Sequence, residues 1–215
     1  MSGTDLWSTW AGLVLGSLIV LAYELQVLVR GRRTPHRVAR AAHARMRADW
    51  VRALAEKPGF EIVAVQTLRN SLMSATISAS TAALCMMGAV SLAGSQLAAG
   101  LHSLRASAIT PLEVLGLALM GVLFGSFVCS ALSMRYYNHA GFALSMPAAT
   151  PQREALVPLA TDYLTRAGYL YGWGLRSFLM VAPLVAGIVN PWLMPPASLG
   201  LVWVLWQFDR PGAID

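Results

Sequence analysis

Long apolar runs alternate with shorter polar connections along this chain. The first run, residues 7–29, is interrupted only by small residues and Glu24. At a helical rise of about 1.5 Å per residue it reaches the roughly 30 Å of a bilayer's hydrocarbon core. Three more runs cover residues 71–97, 112–134 and 169–189, so four membrane-spanning helices are the simplest reading. After the fourth, Asn190-Pro191-Trp192-Leu193-Met194-Pro195-Pro196 should stop a helix, because proline lacks a donor and clashes with the preceding turn. Residues 197–208 are apolar but short for a full span. An interfacial helix, a re-entrant hairpin and a fifth thin span all fit that length.

The connection between the first two runs has a pattern of its own. Val38, Ala42, Met46, Trp50 and Leu54 recur every fourth residue, while arginines occupy much of the remaining surface. This spacing predicts a basic amphipathic helix. Such a helix is either a charged anchor packed on the bundle, the favoured reading, or one that lies on anionic headgroups. A short helix is also expected near Arg153 to Arg166, made irregular or kinked by Pro158.

Composition fits lipid as the solvent. The chain is 56% hydrophobic and 12% charged, with a mean hydropathy of +0.57, which leaves too little polar surface to cover a water-soluble globule. A net charge of +6 and a pI of about 9.9 invite a nucleic-acid reading, but the location of the charges argues against it. Arg30, Arg32, Arg33, Arg37, Arg40, Arg45, Arg47, Arg52, Lys57 and Arg69 follow the first run, and Arg135, Arg153, Arg166 and Arg176 follow the third. Only Arg105 lies between the second and third. By the positive-inside rule the first and third loops are cytoplasmic and the N-terminus periplasmic, in an inner membrane of bacterial type. No cleaved signal peptide is expected, since the first ten residues carry no basic region and the first run is too long. Cys85 and Cys129 lie inside apolar runs, and no disulfide is expected.

Three constellations could carry function. Thr67, Ser71, Ser74, Ser78 and Thr81 advance by four, three, four and three residues, which puts them on one helical face. Close helix contact is the favoured reading of that face, and a polar conduction path the alternative. Gly12 with Gly16 and Gly121 with Gly125 have the small-xxx-small spacing that lets helices approach closely. Finally, Glu24, Gln66, Arg69, Asn70, Arg135, Asn138, His139 and Arg176 all fall near one end of the four runs. A carboxylate at that depth needs a partner, so Glu24 is expected to pair with Arg69, Arg135 or Arg176. One acid against three arginines leaves positive charge suited to a phospholipid headgroup or another anion; a polar cap that locks the helix ends is the favoured alternative.

Catalytic chemistry finds little support. His36, His43, His102 and His139 are not placed to ligate a haem inside the bundle. Met86, Met87, Met120, Met134 and Met180 read as core filler. No phosphate-binding loop, His-Glu-x-x-His or protected Ser-His-Asp grouping occurs, and no cofactor or metal is expected. A membrane enzyme acting on lipid headgroups would need Glu24 or His139 as acid or base.

Several short motifs do suggest a relative. Tyr23-Glu24, Gln66-Thr67-Leu68-Arg69-Asn70, Ala79-Ser80-Thr81-Ala82, Arg135 with Asn138-His139-Ala140-Gly141-Phe142, Gly174-Leu175-Arg176 and Pro183 resemble the bacterial domain-of-unknown-function family numbered 599. The resemblance runs from about Glu24 to Trp192 and is most specific at Gln66 to Asn70. It implies a multi-span membrane protein without an established activity. Its residues are largely those of the polar cluster. The segment from Pro191 to Pro196 and the weakly charged C-terminus depart from the basic tail such a relative would carry.

The expectation is therefore an all-α integral membrane bundle, residues 1–215 as one transmembrane domain, with four spans, a basic interfacial helix and a short C-terminal hydrophobic segment. A non-enzymatic structural or accessory role is preferred, either as a homo-oligomer or beside other membrane subunits. A small-solute or anion channel, or a protein that binds lipid headgroups, stands as the alternative. Membrane lipids, including anionic phospholipid, are the expected surroundings, and nucleic acid is not an expected partner.

Overall fold

In a computed structural model, which describes residues 3–33, 39–56, 59–103, 110–147 and 150–209, the chain is helical. Among the described residues seven helices follow in order: α1 (Gly3–Arg33), α2 (Ala39–Glu56), α3 (Glu61–Ser103), α4 (Pro111–Leu144), α5 (Pro151–Leu179), α6 (Val181–Val189) and α7 (Met194–Asp209). A 3-10 turn, Pro191–Leu193, precedes α7, and no strand occurs among the described residues. Four stretches are long and apolar enough to cross a membrane: Trp7–Gly31, Glu61–Ser91, Pro111–Leu144 and Pro151–Val189.

The helices run well past the apolar segments. With 43 and 34 residues, α3 and α4 are roughly 65 and 51 Å long at 1.5 Å per residue, against about 30 Å of hydrocarbon. No proline or glycine interrupts the chain at Gln66–Asn70 or at Arg135–Asn138, so nothing ends the helix where hydropathy falls. The expected short helix at Arg153 runs on into the fourth span in spite of Pro158 and Gly168: α5 takes in that helix and the first half of the span, and α6 completes the span after Met180.

The start of α4 has local causes. In Thr110-Pro111-Leu112-Glu113 the Thr110 amide donates to the Glu113 carboxylate at 2.8 Å and the Glu113 amide donates to the Thr110 hydroxyl at 3.4 Å. This reciprocal box, with proline as the first helical residue, satisfies donors that the first turn leaves free. At the other end of the fourth span, Asn190 is extended and its side-chain oxygen accepts from the Trp192 amide at 3.0 Å. Pro191 thus breaks the helix as expected, but Pro195 and Pro196 do not. They sit in the first turn of α7, where a missing N–H costs nothing.

The described residues cluster into two compact units. The first draws on Met1–Pro35, Ala82–Gly125 and Arg176–Arg210. In it Leu13, Leu115, Leu184 and Met194 form one apolar core, and Tyr23, Leu201 and Leu205 another. Two α1 glycines admit the turn that leads into α7. A Cβ on Gly12 would stand 2.6 Å from the Pro191 carbonyl oxygen, and one on Gly16 would stand 2.6 Å from Met194 Cγ. Gly121 has open space around it, and Gly125 has only Ser177 Oγ at 3.8 Å.

The second unit draws on His36–Thr81 and Ser126–Leu175. Its core combines Val51 and Leu54 of α2 with Ala64, Leu68, Tyr137, Ala140, Leu144, Ala160, Leu164 and Ala167. The inward face of α2 differs from the expected stripe, because Met46 is 63% exposed. Val51 joins Leu54 and the partly buried Trp50 instead, and Arg47 turns in against Gly168. Val38, Lys57 and Arg105 lie outside the described residues.

The glycine geometry gives a direct test. Gly12→Ala drives a methyl into the Pro191 backbone and should cost about 1–3 kcal/mol, the usual range for overpacking, read as a lower unfolding midpoint in detergent. Gly121→Ala should leave the midpoint unchanged. Equal behaviour of the two variants would contradict this packing.

Candidate functional site

Arg176, near the end of α5, is buried within the first unit. Its Nη1 donates to Glu24 Oε1 at 2.8 Å, and its Nη2 donates to Asp209 Oδ2. The Tyr23 hydroxyl donates to that same Asp209 oxygen at 2.8 Å. Neighbouring residues of α1 therefore flank one guanidinium whose second acid comes from the last residue of α7. Glu24 pairs with one of the three arginines anticipated for it. Asp209 was not foreseen.

This changes the charge balance. Two carboxylates meet one guanidinium, so the surplus here is negative and not positive as the sequence suggests. Arg176 is consequently saturated and has little left for an external anion. The second Glu24 oxygen, Oε2, is buried without a hydrogen-bond partner. Asp209 also stands at a helix C-terminus, where the helix dipole disfavours an acid. Arg176 and the Tyr23 hydroxyl offset that cost.

The remaining polar-cluster residues belong to the second unit. Gln66, Arg69, Asn70, Arg135, Asn138 and His139 are all exposed, and no ion pair forms on Arg69 or Arg135 among the described residues. His139 lies against Tyr163 with ring centroids 5.6 Å apart. Tyr136 approaches the same ring at 5.7 Å.

A second buried arginine was read from sequence only as a topology charge. Arg153, 1% exposed, opens α5 and donates from Nη1 to Glu61 Oε1 at 3.1 Å and to the Met146 carbonyl at 2.8 Å. Its Nη2 donates to the Leu54 carbonyl at 3.0 Å. One side chain thereby ties the last turn of α2, the first turn of α3 and the turn after α4. Carbonyls at helix ends lack intrahelical donors, and a forked guanidinium can satisfy two at once.

The hydroxyl residues divide between two helices. Ser71, Ser74, Ser78 and Thr81 of α3 each donate back to the carbonyl four residues earlier, at 2.8–3.2 Å. Their side chains are exposed or half-buried, whereas α3 packs inward through Ala64, Leu68, Ala75, Ala79 and Ala82. The buried hydroxyl seam is on α4: Ser126, Ser130 and Ser133 are all fully buried. Ser133 donates to the Ala167 carbonyl at 2.8 Å, and a Cβ on Gly174 would stand 2.9 Å from Ser130 Oγ. The same four-and-three spacing would have found that seam.

The ion triad should behave as a structural lock. Arg176→Gln leaves two buried acids without a cation and is expected to cost about 3–5 kcal/mol. Glu24→Gln should cost less, because Asp209 still balances Arg176. Unfolding midpoints in mild detergent measure both; an undisturbed Arg176→Gln protein would show that the triad is not buried in solution.

Among known proteins, no curated protein and no solved structure matches this chain. The family described as Protein of unknown function, DUF599, matches residues 11–212. With nearly its whole length matched, the chain belongs to that family.

Proposed function

We propose that this chain is a non-enzymatic integral inner-membrane protein, N-terminus periplasmic, that works by packing against another membrane helix. The partner is a second copy or a larger complex to which it is an accessory subunit. The observation that carries the reading is one flank of α3, between its buried alanines and its outward Ile62, Met73, Ile77 and Leu84. Thr67, Ser71, Ser74, Ser78 and Thr81 continue without a break of spacing into Cys85 and Gly88, and every one of them is exposed or half-buried.

A lipid-facing surface favours large apolar side chains, as on α1, where Leu18, Leu21, Leu25 and Leu28 point outward. A stripe of small residues over about six turns leaves a groove that lipid tails fill poorly. A second helix crossing at about 20° fits that 3.5-residue repeat closely. The hydroxyls already bonded to their own backbone supply little hydration for a solute path, which favours contact over conduction.

Cys85 makes the stripe testable, since two copies packed symmetrically would bring this residue near its own counterpart. In a Cys129→Ala background, mild oxidation of native membranes should yield a disulfide-linked dimer, or purification should recover a stoichiometric foreign subunit. Ser78→Leu, which fills the groove, should abolish either. A monomer with nothing bound, whose Cys85 reacts freely with a water-borne maleimide, would sink the packing role and favour a wet path.

A further inference from the structure

Arg47 of α2 differs from the chain's other inward arginines. Its guanidinium lies so close over the backbone of Gly168 that a Cβ there would overlap it, and Tyr137 lies within reach of its field. Tyr137 is itself buried in the core of the second unit, where its hydroxyl meets that of Ser71. Nε of Arg47 is buried with no hydrogen-bond partner. No acid among the described residues pairs with it, because Asp49 holds Arg52, Glu61 holds Arg153 and Asp162 holds Arg166. Burial lowers its pKa, opposed only by the field of Tyr137, yet a guanidinium stays charged at any physiological pH.

A half-buried charge without a counter-ion is costly, and the cost falls when an anion arrives. We infer that Arg47, with the Tyr137 hydroxyl beside it, forms a binding site for a phosphate oxyanion. A planar fork of donors matches two phosphate oxygens, and the phenol adds a neutral donor once its proton turns from Ser71 Oγ. Phosphate of this kind comes either from an anionic phospholipid headgroup or as the free ion. The site meets the α3 groove only through Ser71, beside Tyr137, and does not depend on the role proposed for that groove.

The test uses the full chain, purified in nonionic detergent and washed free of lipid. Its unfolding midpoint is titrated with inorganic phosphate and, separately, with detergent-solubilised phosphatidylglycerol. At least one probe should raise the midpoint saturably in the unaltered protein and in Arg52→Gln, a variant with the same charge change at an exposed position. Arg47→Gln should weaken that response by about tenfold or more, the loss expected for hydrogen bonds to a charged group. Tyr137→Phe should weaken it several-fold and decides the matter if Arg47→Gln does not fold. A response to phosphatidylglycerol alone assigns the phosphate to lipid, and a response to both assigns it to the free ion. The site is overturned if neither probe stabilises the unaltered protein, or if Arg47→Gln, or Tyr137→Phe in its place, responds as Arg52→Gln does.

Discussion

A guanidinium taken out of water must find negative charge or free carbonyl oxygens inside the fold, and this architecture is organised around how three arginines meet that demand. Arg176 has two carboxylates, Arg153 has one carboxylate and two carbonyls, and Arg47 has none among the described residues. The first two cases fix helix ends that hydrophobic contact alone would leave free to slide. Apolar packing is nearly indifferent to a shift along a helix axis, whereas a forked donor bound to Glu24 and Asp209 is not. α1, the end of α5 and the end of α7 are held in register by that difference.

Packing elsewhere follows the inverted logic expected of helices long and apolar enough to cross a membrane. Serine, alanine and glycine lie where helices touch, as at Ser126, Ser130 and Gly174, while Phe124 and Leu132 on the same α4 face outward. Because lipid is as apolar as leucine, little is gained by burying leucine. Close backbone approach gains dispersion contact instead, and small side chains permit it. On α3, alanines face inward, and the small-residue stripe lies about a quarter-turn away from them, where it makes few of the contacts of its own chain.

Much of this was legible in the sequence. The four apolar runs mark the spans because hydropathy reports the solvent directly, and the break at Asn190-Pro191 follows from proline chemistry. The Glu24 partner was narrowed to three arginines of which one is realised. Asp209 was missed because its signal is faint: a lone acid after an apolar helix looks like a chain end returning to water. Arg153 and Arg47 were hidden by their numbers, since arginines in a basic loop look alike until tertiary contacts single out two. Met46 was misplaced for a related reason. Strict spacing of four drifts around a helix of 3.6 residues per turn, and the face selected by Val51 and Leu54 lies to one side of it.

The uninterrupted course of α3 from Glu61 to Ser103 also constrains how the chain can evolve. Each residue added to or removed from a helix rotates everything beyond it by about 100°. A single insertion between Leu68 and Ala82 would turn the following alanines outward and bring the hydroxyl stripe in. Steps of seven residues nearly restore the phase, so a change of that length keeps both faces in place where a single residue does not.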